Sequence, residues 1–293
     1  MKERLAFSFT PPADNENTLS AIEESTPFRL QHNGCQLHYW MTGPLDAPLV
    51  VLTHGEGANH HSFDAQVQIL ARSCRVLAWD IRGHGKSVSD QPFSLDMAVD
   101  DLHAILTHQG YCQAILVGLS AGGTITQRFA HCFPEMVLGI ALLSCTPLQS
   151  ADSATYRLFG RLAIGLVRSL PYWFIRAQMP AYFSIRPEVQ KYTAEAMAES
   201  GPENFLAAWR IHQEGIQTAS TGFPKQPLLV ALGAYDTQGW VARAKALWAQ
   251  AEPTVQPVVV PGAGHALVQD NPAFSRKMLD DFVYQCIRAN RYG

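Results

Sequence analysis

The sequence lacks the residue patterns that mark metal sites, redox pairs and nucleotide-binding loops. Its six cysteines are scattered and form neither a CxxC pair nor a zinc-ligand spacing, so we expect buried free thiols in a reducing cytoplasm. The phosphate-binding motifs GxGxxG and GxxxxGK followed by Ser or Thr are absent as well. We therefore expect neither a metal ion nor an organic cofactor.

Strong charge and long hydrophobic runs are also missing. The net charge of −3 provides no electrostatic attraction for nucleic acid or anionic lipid. The N-terminal segment lacks the long apolar stretch of a signal peptide, and apolar runs such as 137–143 are too short to span a bilayer. These absences predict a cytoplasmic protein without nucleic-acid or membrane partners, and they leave its oligomeric state open.

The sequence does contain enough apolar material for a large core, because 47% of its 293 residues are hydrophobic. Apolar runs alternate with helically spaced apolar residues along most of the chain. This pattern predicts an α/β fold with a mostly parallel central sheet flanked by helices. Residues 1–27 are polar and contain prolines, which predicts an irregular lead-in.

The α/β core is predicted to comprise residues 28–146 and 225–293. Residues 29–41 are expected to form one or two strands, with Asn33 and Gly34 as a hairpin turn. The other predicted strands lie at 49–53, 76–81, 114–117, 137–143, 228–232 and 255–260. The predicted helices lie at 62–71, from Leu95 with Ser94 as N-cap, from Ala121, at 240–249 and at about 272–287.

The alternation stops at residues 147–224. This segment has helical spacing, no convincing strand and many aromatic residues, so we interpret it as a helical insertion. Glycines and prolines divide it into short helices that are able to shift as a lid. We expect it to cover the active site, with rings such as Trp173 and Phe174 facing the pocket.

A G-x-S-x-G motif at residues 118–122 connects a predicted strand to a predicted helix. In this context a serine stands on a sharp, strained turn and projects clear of the sheet. The following helix N-terminus supplies amide donors where an oxyanion would form. Ser120 is therefore predicted to be a nucleophile rather than part of an ordinary glycine-rich turn.

A serine nucleophile needs a base that is held by an acid. Among eleven histidines, His265 is the candidate base, because it lies on a loop directly after the last predicted strand. Asp236 follows the preceding strand in the same way and is the candidate acid. The chain order Ser120, Asp236, His265 places each residue at the carboxyl end of a strand. Asp270 is the nearest rival acid, and we expect it to begin the last helix.

Two further motifs follow core strands. Residues 53–57, Thr-His-Gly-Glu-Gly, form a glycine-rich turn from which a backbone N–H is able to approach the same oxyanion. In the sequence D-I-R-G-H-G-K-S, Asp80 and Arg82 are expected to tie loops together rather than to take part in catalysis.

Together, the HG turn, D-x-R-G-x-G-x-S, G-x-S-x-G-G and the late G-x-G-H resemble the α/β-hydrolase superfamily, of the type with a helical cap after the sixth core strand. The likeness extends over about residues 29–290. It implies a triad of Ser120, His265 and Asp236 and an oxyanion hole formed by the backbone amides of Glu56 and Ala121. Glu56 departs from the small or apolar residue common in relatives, and we expect its side chain to turn outward.

The sequence thus predicts a serine hydrolase acting on a small-to-medium, largely apolar ester, lactone or related carbonyl compound. Two alternatives remain open, because fold alone does not determine function. The first is different chemistry on the same fold: C–C bond hydrolysis, perhydrolysis, acyl transfer or cofactor-free oxygenation. The second is a ligand sensor that retains the triad mainly for binding.

Overall fold

The central feature of the protein is an eight-stranded sheet, seen in a computed structural model that describes residues 27–89, 93–148, 162, 165, 167–218, 225–236 and 240–292. The spatial order of its strands is β1-β2-β4-β3-β5-β6-β7-β8. The strands are β1 (Phe28–His32), β2 (Cys35–Thr42), β3 (Leu49–Thr53), β4 (Arg75–Trp79), β5 (Ala114–Leu119), β6 (Val137–Leu143), β7 (Leu228–Gly233) and β8 (Val258–Val260).

Strand direction follows the predicted pattern. β2 pairs antiparallel with β1 and β4, whereas all neighbours from β4 to β8 are parallel. The turn between β1 and β2 places Asn33 at φ 43° and Gly34 at φ 77°. Two consecutive left-handed residues match the twist of the hairpin strands, and Asn and Gly adopt this conformation most readily. The predicted hairpin is confirmed.

Helices cover both faces of the sheet. They are α1 (Asp64–Leu70), α2 (Leu95–His108), α3 (Ala121–Cys132), α4 (Tyr172–Phe183), α5 (Pro187–Thr218), α6 (Trp240–Ala251), α7 (Leu267–Asp270) and α8 (Pro272–Tyr292). Alternate residues of β3 point to opposite faces. Val51 packs in the core layer that contains α2 and α3, and Val50 in the layer that contains α1 and α8. The doubly covered sheet is as predicted.

Element boundaries differ modestly from expectation. The predicted helix at 62–71 is a 3-10 turn over His60–Phe63 followed by α1, and β8 includes only the last three residues of its predicted span. Ser94 does cap α2, with its side chain accepting a hydrogen bond from the Met97 amide. The cysteines are free thiols, but Cys112 and Cys132 are exposed, which corrects the expectation that the thiols are buried.

The described part of residues 147–224 is helical, as expected. The two longer helices there are α4 and α5, and α5 bends at Gly201, whose φ of 74° and ψ of 170° lie outside the helical region. The lead-in up to residue 26 lies outside the described residues, as do residues 149–161, 163–164, 166 and 219–224 of the insertion. Among the helices that the structure describes, none is long and apolar enough to traverse a membrane.

Candidate active site

Ser120 lies on the sharp turn between β5 and α3. Its φ of 53° and ψ of −115° are strained for a residue with a side chain, and such strain is characteristic of functional positions. The flanking glycines are required by space. A Cβ at Gly118 would clash with the Gly122 carbonyl, and a Cβ at Gly122 would clash with the Thr53 carbonyl. The sequence therefore folds into a turn that holds the serine hydroxyl clear of the sheet.

A chain of hydrogen bonds connects the three predicted catalytic residues. Ser120 Oγ lies 2.8 Å from His265 Nε2, and His265 Nδ1 lies 2.9 Å from Asp236 Oδ2. Asp236 and His265 occupy the loops that follow β7 and β8, so parallel strands bring both side chains to the edge where β5 ends. The distances suit proton transfer from the serine to the imidazole when the hydroxyl proton points towards His265.

The charges around His265 favour its protonated form. Burial alone would lower the pKa of His265, but the Asp236 carboxylate, together with the Glu56 and Asp270 carboxylates, raises this pKa above its ordinary value of 6.5. Asp236 has the strongest raising effect, because it both attracts the imidazolium and accepts its hydrogen bond. An imidazole with a raised pKa is a stronger base once it is deprotonated.

The Glu56 side chain points into the site, which corrects the expectation that it turns outward. Its Oε2 atom accepts a hydrogen bond from Ser120 Oγ at 2.9 Å and lies 3.4 Å from the Ala121 amide nitrogen. The expected position is wrong because these two donors at the helix N-terminus attract an anion more strongly than the sequence pattern suggests. The carboxylate thus fills the place that Ala121 would offer to an oxyanion.

Glu56 and His265 compete for the single hydroxyl proton of Ser120. A serine hydroxyl has one proton, and an ionised carboxylate only accepts hydrogen bonds. When Ser120 donates to Glu56, His265 Nε2 must donate to Ser120 while Nδ1 donates to Asp236. The imidazole is then doubly protonated and unable to act as a base. Glu56 therefore has to release Ser120 before His265 can accept its proton.

Asp270 contacts the loop that carries His265 rather than the His265 ring. It ends α7 rather than beginning the last helix, which corrects the sequence prediction. Its carboxylate accepts hydrogen bonds from the Gly264 amide at 2.7 Å and from the Ser184 hydroxyl of the insertion. Asp270 thus joins the loop before His265 to the helical insertion, a role that sequence spacing alone did not indicate.

The loop after β4 has the structural role predicted for it. Asp80 is buried and accepts hydrogen bonds from the backbone and ring nitrogens of His60, both at 2.8 Å. Arg82 and Asp101 form a buried ion pair. His54 Nε2 accepts a hydrogen bond from the Ile81 amide at 3.0 Å, which attaches the glycine-rich turn before Glu56 to this loop.

A pocket with about 330 Å³ of empty space, part of it open to solvent, lies above Ser120. The insertion contributes Phe183 from α4 and Thr193 from α5 to its lining, and the Phe183 ring centre lies 5.6 Å from that of His265. Trp173 and Phe174 are 71% and 40% exposed and do not line this pocket, so the expectation for these two rings is wrong.

A mostly parallel, helix-flanked sheet with Ser, Asp and His after strands β5, β7 and β8 is typical of an α/β-hydrolase fold. The model of the Alpha/beta hydrolase family matches residues 50–275, which is more than half of the chain. The protein belongs to this family, and the resemblance inferred from its motifs is confirmed.

Known relatives share this fold with different activities. Epoxide hydrolase 4 from Homo sapiens is 32% identical over 119 residues, which represent 40% of this chain and 33% of that enzyme, so the match spans about a third of the relative's length. The 3-oxoadipate enol-lactonase 2 from Acinetobacter baylyi is 24% identical and matches 70% of this chain and 78% of its own. A thermophilic esterase from Thermogutta terrifontis superposes with a TM-score of 0.76 at 23% identity, with 89% of this chain and 99% of the esterase covered.

Proposed function

We propose that the protein is a serine hydrolase that cleaves a small-to-medium, largely apolar ester, lactone or related carbonyl compound. One observation carries the proposal: the continuous hydrogen-bond chain from Ser120 through His265 to Asp236, with distances of 2.8 and 2.9 Å. This constellation performs acyl transfer on unrelated folds, so its geometry is informative beyond the fold itself. The lactonase and esterase relatives are consistent with this substrate class.

The reaction divides into two halves. Ser120 Oγ attacks the substrate carbonyl while His265 Nε2 accepts the serine proton, and His265 then donates that proton to the departing alkoxide. Water next attacks the acyl-enzyme with His265 again as the base, which releases the acid and regenerates the serine. Asp236 orients the ring and stabilises its positive charge, and the Glu56 and Ala121 amides hold the oxyanion.

We also infer that residues 147–224 act as a cap on the core segments 28–146 and 225–293. Phe183 and Thr193 support this inference, because both line the pocket from helices of the insertion. The pocket that they line is small and largely apolar, which suits a compact acyl group. A cap in this place excludes water from the reacting centre.

The test is Ser120→Ala together with a fluorophosphonate probe. We expect the variant to remain folded and to lose hydrolysis of activated short-chain esters, and we expect the probe to label Ser120. Ser62→Ala is the matched control, since Ser62 lines the same pocket without touching His265 in the described contacts. Normal turnover by folded Ser120→Ala would contradict the serine mechanism.

A second candidate is another reaction on the same fold, such as epoxide or C–C bond hydrolysis. The observation that favours this candidate is the Glu56 carboxylate next to Ser120. Acyl transfer alone does not require a negative charge beside the nucleophile. Epoxide hydrolases are among the relatives. Substrate panels of esters, epoxides and C–C substrates, assayed with wild type and Ser120→Ala, distinguish the two candidates.

A further inference from the structure

The pocket above Ser120 has an excess of negative charge. Among the described residues that line it, Glu56 is the acidic one and there is no Lys or Arg, and the positive charge of protonated His265 is paired with Asp236. Asp236 contacts the His265 ring and Asp270 contacts the preceding Gly264 amide, and both carboxylates add to the negative field at His265. Burial lowers the pKa of nearby His84, so this imidazole stays neutral and does not compensate Glu56.

A neutral ester faces two unfavourable effects in such a pocket. Its carbonyl oxygen must displace the Glu56 carboxylate from Ser120 Oγ and from the Ala121 amide. The displaced carboxylate then stands unpaired next to the oxyanion that develops during attack, and like charges at this distance repel. Anionic acyl groups meet the same repulsion already on binding.

A substrate with a positively charged hydrogen-bond donor next to its carbonyl removes both difficulties. An ammonium group binds the Glu56 carboxylate directly, and charge-assisted hydrogen bonds of this kind are stronger than those to a neutral hydroxyl. Glu56 then releases Ser120, whose hydroxyl can turn towards His265 once the imidazole has lost its extra proton to solvent. The paired carboxylate no longer opposes the oxyanion.

We propose that Glu56 is a specificity-determining residue that selects acyl donors with an ammonium group on the carbon next to the scissile carbonyl. The inference rests on the proposed serine hydrolase function and narrows its substrate class to amino-acyl esters or related amino-acyl compounds. The carboxylate is the recognition site for the amine, and the apolar remainder of the pocket holds the side chain.

Three phenyl esters test the proposal, because their acyl groups differ mainly in charge. They are the esters of alanine, of 2-methylpropanoic acid and of methylmalonic acid as its half-ester, which place an ammonium, a methyl and a carboxylate at the same position. The value of kcat/KM is measured for wild type, Glu56→Gln and Glu203→Gln at a pH where the alanine amine is protonated. Glu203 is exposed on α5 and does not line the pocket, so its variant controls for loss of a negative charge outside the pocket.

For each protein, kcat/KM for the alanyl ester is divided by kcat/KM for the 2-methylpropanoyl ester. The informative quantity is the double ratio, which is this value for wild type divided by the value for Glu56→Gln. Intrinsic reactivity differences between the esters cancel in this double ratio. We expect a value of about tenfold or more, since it reports a direct charge–charge interaction. We expect Glu203→Gln to match wild type, and the half-ester to gain rate in Glu56→Gln.

A double ratio equal to or below 1 overturns the proposal. The serine mechanism remains intact in that case if the fluorophosphonate still labels Ser120. Failure of Ser120 to react in both wild type and Glu56→Gln instead overturns the proposed function itself. Thermal unfolding of Glu56→Gln verifies that the variant is folded, and Glu56→Asp should retain part of the preference because it keeps the charge.

Discussion

Asp236 and Asp270 both bind the loop that carries His265, but they hold different atoms of it. Asp236 Oδ2 contacts the His265 ring at Nδ1, whereas Asp270 Oδ2 accepts the backbone amide of Gly264 at 2.7 Å. One carboxylate thus determines the state of the imidazole, and the other determines the position of the loop. The two acids should therefore respond differently to removal of their charge.

Asp236→Asn should reduce kcat by about 10²–10⁴-fold, because an amide neither fixes the required His265 tautomer nor stabilises the imidazolium. Its thermal stability should change little. Asp270→Asn should instead lower the free energy of unfolding by about 1–3 kcal/mol, because it weakens a buried hydrogen-bond network. Steady-state kinetics and thermal unfolding of both variants provide the comparison. A large kcat loss in stable Asp270→Asn with mild Asp236→Asn would reverse the assignment.

The sheet and the three candidate catalytic residues could be predicted because local patterns determine them. Val50 and its neighbours form a continuous apolar run that only a doubly covered strand can bury, and β3 is found over the predicted residues. Ser120, between glycines that have no room for a Cβ, required the turn that is observed. Such features depend on a few consecutive residues.

Contacts between distant segments could not be predicted in this way. The orientation of the Glu56 side chain depends on its contact with the Ala121 amide, which lies 65 positions away in the sequence. Trp173 illustrates the same limit, because its aromatic character suggested a pocket position while tertiary packing leaves it 71% exposed. Solvent exposure of single aromatic residues is common and cannot be read from composition.

The pH dependence should reflect the raised pKa of His265. The neutral imidazole is the active form, so kcat/KM should increase with pH, and the acidic limb should have an apparent pKa above the ordinary value of 6.5. Glu56→Gln removes one of the charges that raise this pKa and should shift the limb to lower pH. Profiles for wild type, Glu56→Gln and Glu203→Gln test the expectation. An unshifted limb in Glu56→Gln would contradict it.

Gly122→Ala should destabilise the nucleophile turn. The added Cβ would clash with the carbonyl oxygens of Thr53 and His54, which belong to the backbone and cannot move without displacing β3. We expect a loss of about 1–3 kcal/mol in the free energy of unfolding together with reduced labelling of Ser120. Gly165→Ala is the control, because no described atom lies within 4 Å of a Cβ at this helical residue, and the substitution should gain up to about 1 kcal/mol. Equal stability of both variants would refute the packing argument.

Phe183 should determine which acyl chains the pocket accepts. Its ring is 9% exposed and lines the pocket beside His265, whereas the adjacent Tyr182 is 63% exposed. Phe183→Leu and Phe183→Ala should enlarge the pocket and increase kcat/KM for longer acyl chains relative to short ones, by about 1–3 kcal/mol in free energy. Tyr182→Ala should leave the preference unchanged, since its ring faces solvent. A series of straight-chain esters measures the preference, and thermal unfolding shows whether each variant remains folded. If folded Phe183→Leu lost stability but kept the wild-type chain-length profile, α4 would support the core without selecting the substrate.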